Sequence, residues 1–161
     1  MKKVLLSTLV ISLLSTTAYA SVKDKKAMKA ADAHITTEIV KVKAACGNPS
    51  LDVKVNWDAY EKMISANTDK LAKDNYKSEW VLSHSGQRTV ATLEAMAKIC
   101  KSDADYKEEL AKVSKIEVSP KADFKDSKNV FSLKGSTMTV EAGHKMTRKA
   151  DDFVKPIKAL F

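Results

Sequence analysis

The sequence has few of the residues that interrupt regular structure: four glycines and three prolines among its 161 residues. This scarcity excludes a low-complexity chain rich in glycine or proline, and no internal repeat is present. Apart from one run near its start, no apolar stretch approaches the roughly 18 residues that a membrane-spanning helix needs. The composition therefore predicts one soluble domain with no transmembrane segment in the mature chain.

Arginine is also scarce, since Arg88 and Arg148 are the only two and lysine carries almost all of the positive charge. Specific recognition of phosphates or bases usually depends on the planar guanidinium of arginine. Because lysine rather than arginine carries the formal net charge of +8, the sequence predicts no specific nucleic-acid binding. The excess of lysine favours anionic surfaces or acidic partners only weakly, because lysines and acids are interspersed.

Catalytic and metal-binding motifs are absent from the sequence. No serine lies in a Gly-x-Ser-x-Gly elbow or three residues before a lysine, and no Cys-x-x-Cys pair occurs. His34, His84 and His144 fall in three different segments, so no spacing typical of metal ligands joins them. The sequence predicts a non-catalytic protein without cofactor or metal. A hydrolase or metal-dependent enzyme whose site assembles from dispersed residues remains an alternative.

The first twenty residues have the pattern of a secretory leader. Lys2 and Lys3 precede an apolar run over residues 4–14, and small residues follow at Ala18 and Ala20. This pattern predicts a signal peptide at 1–20, cleavage after Ala20, and a single domain over 21–161. The mature chain loses two lysines and no acid, so its net charge is +6. The expected location is the periplasm or the medium.

The two cysteines, Cys46 and Cys100, are expected to form a disulfide. An oxidising compartment permits one, and each cysteine closes an apolar stripe with helical spacing, so both thiols should face the core. In the chain-entropy model, a bridge across a loop of this length stabilises the fold by about 4 kcal/mol.

Hydrophobic periodicity predicts an α+β domain, in which about five helices cover a small, mostly antiparallel sheet of about four short strands. The predicted helices lie at 22–45, 56–73, 76–101 and 102–113 and after Gly143, the last containing Pro156. The predicted strands lie at 51–55, 116–118, 129–134 and 137–142, the last two forming a hairpin.

One helical face carries a candidate binding surface. Trp80, His84 and Arg88 recur at intervals of four residues and project away from the main apolar stripe. Tryptophan and arginine are frequent among residues that dominate binding energies. The alternative interpretation is that Trp80 packs in the core beneath a neighbouring element.

These expectations favour an exported, disulfide-stabilised binding protein that acts as an inhibitor, an immunity-type partner or an adaptor. The expected partner is another envelope or secreted protein. Besides the enzyme alternative, a structural protein that associates with itself or a surface stays open.

Overall fold

The computed structural model describes residues 20–123 and 128–161. Of the predicted leader, only Ala20 lies within this part of the chain. The elements in chain order are α1 (Val22–Cys46), β1 (Asp52–Val55), α2 (Trp57–Ala66), α3 (Thr68–Lys73), α4 (Ser78–Ser102), α5 (Ala104–Ala111), β2 (Lys115–Pro120), β3 (Val130–Lys134), β4 (Thr137–Ala142) and α6 (Asp151–Lys158).

Helix α1 begins and ends at residues whose chemistry suits those positions. Ser21 and Asp24 form a capping box, in which each side chain accepts a hydrogen bond from the backbone of the other. The helix ends at Gly47, whose φ of 67° is the left-handed conformation that glycine adopts without strain. Between these ends, the predicted apolar stripe is buried at Ala31, Ile35, Val42 and Cys46.

Helices α1 and α4 pack side by side in the same direction. Three contacts mark the pair from its first turns to its last: Asp24 with Ser78, Ala31 with Gly86, and Cys46 with Cys100. Gly86 permits the close approach in the middle, because a Cβ built on it would lie 2.4 Å from the Cβ of Ala31. The predicted disulfide joins the C-terminal ends of the two helices, with its Cα atoms 5.1 Å apart.

The sheet is mixed, which corrects the expected antiparallel arrangement. Its strand order is β1-β2-β4-β3; β2 runs parallel to both β1 and β4, and only β3 and β4 pair as an antiparallel hairpin. Alternating hydrophobicity shows which residues face the core, but it carries no information on the direction of the neighbouring strand. The chain returns through four helices between β1 and β2, as a parallel connection requires.

Two layers result from this packing. The inward-facing residues of β2 and β4 are Ile116, Val118, Met138 and Val140, all of which are buried. They pack into a core that also includes residues of α1, α4, α5 and α6. The outward-facing residues of β2 and β4 are polar, and each is half-buried or exposed.

The helices differ from the prediction in two places. The helix expected over 56–73 is divided into α2 and α3 at Asn67, so the described residues contain six helices rather than five. The last helix begins at Asp151, and residues 143–150 form an irregular connection, which we call the 143–150 loop. Within this loop Met146 has a φ of 68°, which is incompatible with a continuous α-helix.

Candidate functional site

The three residues of the predicted binding surface do lie along one helix, α4, but they differ in exposure. The Trp80 side chain is 41% exposed, His84 is half-buried, and Arg88 is fully buried. The expectation of a shared exposed face is therefore wrong for Arg88. The alternative interpretation, in which Trp80 packs in the core, is also wrong, because the side chain is exposed. Arg88 supports this region from below while Trp80 faces solvent.

Arg88 attaches the 143–150 loop to α4. Its Nε donates to the carbonyl oxygen of Met146 at 2.9 Å, and its Nη2 donates to that of Lys145. Its Nη1 donates to Oδ1 of Asn129 at 2.9 Å, and the same oxygen accepts the Gly143 N–H at 3.2 Å. Because a buried guanidinium needs many acceptors, this geometry fixes the loop at several atoms together.

Four rings form a cluster in which Tyr76 contacts each of the other three. We call Tyr76, Trp80, His84 and His144 the Tyr76 cluster. The Tyr76 ring centroid lies 5.7 Å from Trp80, 5.9 Å from His84 and 5.8 Å from His144. The contacts with Trp80 and His144 are edge-to-face, an arrangement that aromatic quadrupoles favour.

The hydrogen bonds of Tyr76 assign a tautomer to His84. The phenol has one proton, which it donates to the carbonyl oxygen of His144 at 2.8 Å. The phenol oxygen is also hydrogen-bonded to Nδ1 of His84. Since the phenol proton is used, Nδ1 of His84 must be the donor, and the neutral ring then carries its lone pair on Nε2.

The cluster is uncharged at neutral pH. Burial, with the nearby Lys145 and Arg88, lowers the pKa of His144 to about 4. Burial also lowers the pKa of His84, with a smaller contribution from Arg88, and raises the pKa of Tyr76. The surface therefore consists of neutral rings over a cationic support.

The rim of the cluster carries basic side chains. Nζ of Lys77 lies 5.3 Å from the centroid of the Trp80 ring, a cation–π geometry. Lys145 forms an ion pair with Asp74 at 2.6 Å. Met146, in the same loop, is 65% exposed. The arrangement suits contact with an apolar surface that has acidic groups around it.

Sequence reasoning did not identify Tyr76, Asn129 or His144 as parts of this region. Tyr76 continues the four-residue spacing of Trp80 and His84 backwards, so that signal was available, although it precedes the first residue of α4. His144 reaches Tyr76 across 68 positions of sequence. No local pattern reveals a contact of that kind, because it depends on the return of β4 beside α4.

The remaining histidines, acids and serines give no sign of a metal or nucleophile site in the described ranges. In residues 20–123 and 128–161, no group of three histidines, cysteines, aspartates or glutamates is placed to hold a metal ion. The Ser85 hydroxyl, next to His84 in sequence, donates to the Val81 carbonyl oxygen at 2.8 Å. Over the same residues, no helix is both long and apolar enough to cross a membrane.

A cleft of about 390 Å³ lies on the other side of Tyr76, between the first turns of α1 and α4 and the pair α2–α3. Ile64, Leu71 and Leu82 are among its apolar lining residues, and Asp24 and Glu61 among its polar ones.

Comparison with protein-family models, curated proteins and solved structures finds no match for this chain.

Proposed function

We propose that this chain is an exported, disulfide-stabilised binding protein that recognises another envelope or secreted protein through the exposed side of the Tyr76 cluster. The observation that carries the proposal is Trp80: a tryptophan that is 41% exposed and packed edge-to-face on Tyr76. Tryptophan is among the side chains that most often dominate the binding energy of protein interfaces, and here its ring is held in place by Tyr76.

The residues packed around Trp80 are held in a fixed arrangement, which favours a role in binding. Arg88 and Tyr76 fix the 143–150 loop through hydrogen bonds to the carbonyl oxygens of His144, Lys145 and Met146. A surface that is ordered before binding loses less conformational entropy when a partner docks. The cluster therefore has the rigid aromatic character of an interface anchor.

Charge indicates the chemistry of the partner. The mature chain has a predicted net charge of +6, and Lys77 lies beside the exposed indole. We infer a protein partner with an apolar pocket for Trp80 and acidic groups around that pocket. Such complementarity accelerates association and makes it sensitive to salt.

The test compares the mature protein with two variants of exposed apolar residues. Trp80→Ala removes the anchor, and Val40→Ala truncates a residue that is 64% exposed on α1, away from the cluster. A partner captured from the envelope or secreted fraction is identified, purified and titrated by calorimetry. We expect Trp80→Ala to weaken binding at least tenfold and Val40→Ala to leave it unchanged.

Equal affinities of the wild type and Trp80→Ala would contradict the proposal. Self-association of the mature chain through Trp80, detected by sedimentation, would instead support the structural alternative. Circular dichroism of each variant verifies that the fold is retained. Raising the salt concentration should weaken the wild-type complex, because exposed charges are screened.

A further inference from the structure

The first turn of α1 holds a buried carboxylate, that of Asp24, which is 8% exposed. Its Oδ2 accepts the backbone N–H of Ser21 at 3.0 Å, and its Oδ1 accepts the hydroxyl of Ser78 at 2.7 Å. The carboxylate thus connects the first residues of α1 with the first turn of α4.

Both of these donors are neutral, although buried carboxylates usually pair with a cation. In residues 20–123 and 128–161, Asp24 takes part in no ion pair. The positive ends of two parallel helices, α1 and α4, meet beside it and offset part of its charge. Within the described residues, therefore, no positively charged group pairs with the Asp24 carboxylate.

We propose that cleavage after Ala20 supplies this charge, because the new α-ammonium group of Ser21 becomes an ion-pair partner of Asp24 and fastens α1 to α4. The inference rests on the export that the proposed function includes. In the cleavage, water adds across the Ala20–Ser21 peptide bond. The carboxylate stays on Ala20, and the Ser21 nitrogen takes up the protons that make it an ammonium group.

The geometry required for this ion pair already exists. The Ser21 nitrogen lies 3.0 Å from Oδ2 of Asp24, which is hydrogen-bonding distance for an ammonium group as well as for an amide. Conversion of the amide to an ammonium strengthens the bond, because a charged donor now faces a charged acceptor. Ser21 would also keep its hydroxyl as the acceptor for the Asp24 N–H, which lies at 3.1 Å.

Processing also changes the neighbouring cleft. Ala20 forms part of the lining of the 390 Å³ cleft, beside Asp24 and Ser78. Its removal leaves the Ser21 ammonium group at the rim of that cleft. The ion pair between Ser21 and Asp24 can therefore form only in the mature protein.

The first measurement is the intact mass of the protein recovered from the envelope or secreted fraction. We expect a chain that begins at Ser21. Recovery of a chain that retains residues 1–20 in the cytoplasm would overturn this inference and the export, but Trp80-dependent binding by the purified domain would be unaffected. The two proposals therefore fail separately.

The second measurement is the melting temperature of four purified proteins: chains that begin at Ser21 or at Ala20, each with Asp24 or with Asp24→Asn. In the Ala20 chains Ser21 keeps an amide, so the ammonium group lies one residue away from the carboxylate. With Asp24, we expect the chain that begins at Ser21 to melt about 3 °C above the chain that begins at Ala20 at low salt. With Asp24→Asn, we expect the two chains to melt at the same temperature.

High salt should reduce the difference, as it does for partly exposed ion pairs. Asp24→Asn keeps oxygen and amide groups for the Ser21 and Ser78 contacts, and circular dichroism confirms that its chains fold. Equal melting temperatures of the two Asp24 chains, or a difference that survives in the Asp24→Asn pair, would overturn the inference.

Discussion

Single residues in the 143–150 loop and on α4 decide the character of the candidate site. Arg88 is buried where a lysine-rich protein could have placed a simpler cation. The fork of its guanidinium reaches the carbonyl oxygens of Lys145 and Met146 and the amide oxygen of Asn129. A lysine offers no such planar fork, so one of only two arginines in the sequence stands where its geometry is needed.

The most informative titration at this scale is that of His144. Its pKa is lowered to about 4 in the folded protein, against about 6.5 in an unfolded chain. Between these values the unfolded chain binds more protons, so the free energy of unfolding falls as the pH decreases from 6.5 towards 4. His84, whose pKa is also lowered, acts in the same direction. Tyr76, Arg88 and Lys145 are the other ionisable groups around the ring.

We expect the free energy of unfolding to be about 2 kcal/mol lower at pH 4.5 than at pH 7 because of His144. Urea titrations at the two pH values measure this difference. His144→Gln should reduce it, whereas His34→Gln, on the exposed side of α1, should leave it unchanged. An identical loss in wild type and His144→Gln would show that His144 does not carry the effect.

Among the elements, the contact of α1 with α4 depends on the absence of a side chain at residue 86. The Cβ in Gly86→Ala would lie 2.4 Å from the Cβ and 3.4 Å from the Cα of Ala31, so the two helices must separate. We expect this change to lower the free energy of unfolding by about 1–3 kcal/mol, although alanine alone favours the helix by about 1 kcal/mol.

The compensating variant is Ala31→Gly, which removes the Cβ on the other helix. In a double-mutant cycle monitored by chemical denaturation, Ala31→Gly should recover much of the stability that Gly86→Ala loses. Additive effects of the two changes would contradict the close approach as the cause.

The helices and strands show which parts of the fold could be predicted from the sequence. Periodicity located all four strands and most helix boundaries, because burial of one face imposes a spacing of two or of 3.6 residues. It failed at Asn67 and in the 143–150 loop. Met146 and Ala150 fit a helical spacing with Phe153, but the Arg88 side chain takes the carbonyl oxygens that a helix would need there. That interaction crosses 58 positions of sequence.

The candidate site was less predictable than the fold. Spacing along α4 selected Trp80, His84 and Arg88 together, yet the depth of each side chain depends on elements that arrive much later in the chain. The pairing of Cys46 with Cys100 was predictable for a simple reason: two cysteines allow one intramolecular disulfide. Strand direction was not predictable, since a parallel and an antiparallel neighbour bury the same alternate residues.

For the whole molecule, the disulfide between Cys46 and Cys100 connects the ends of the two longest helices. The paired variant Cys46→Ala/Cys100→Ala should lose about 2–4 kcal/mol of unfolding free energy, measured by guanidinium denaturation. Hydrogen exchange should accelerate most at the last turns of α1 and α4, where local opening adds to the global loss, and less at the amides around Tyr76. A loss of protection spread equally over both ends of the helices would contradict this local role.

The parallel pairing of β1 with β2 has a consequence for the rate of folding. Asp52 of β1 pairs with Lys115 of β2, so the first strand has no neighbour until the chain has passed through four helices. Contacts between such distant residues slow folding, because a long loop must close before any strand pairing contributes. Both cysteines precede β2 in the chain. Their bond, once formed, holds α4, which lies within that loop, against α1, which precedes β1, and so shortens the conformational search that completes the sheet.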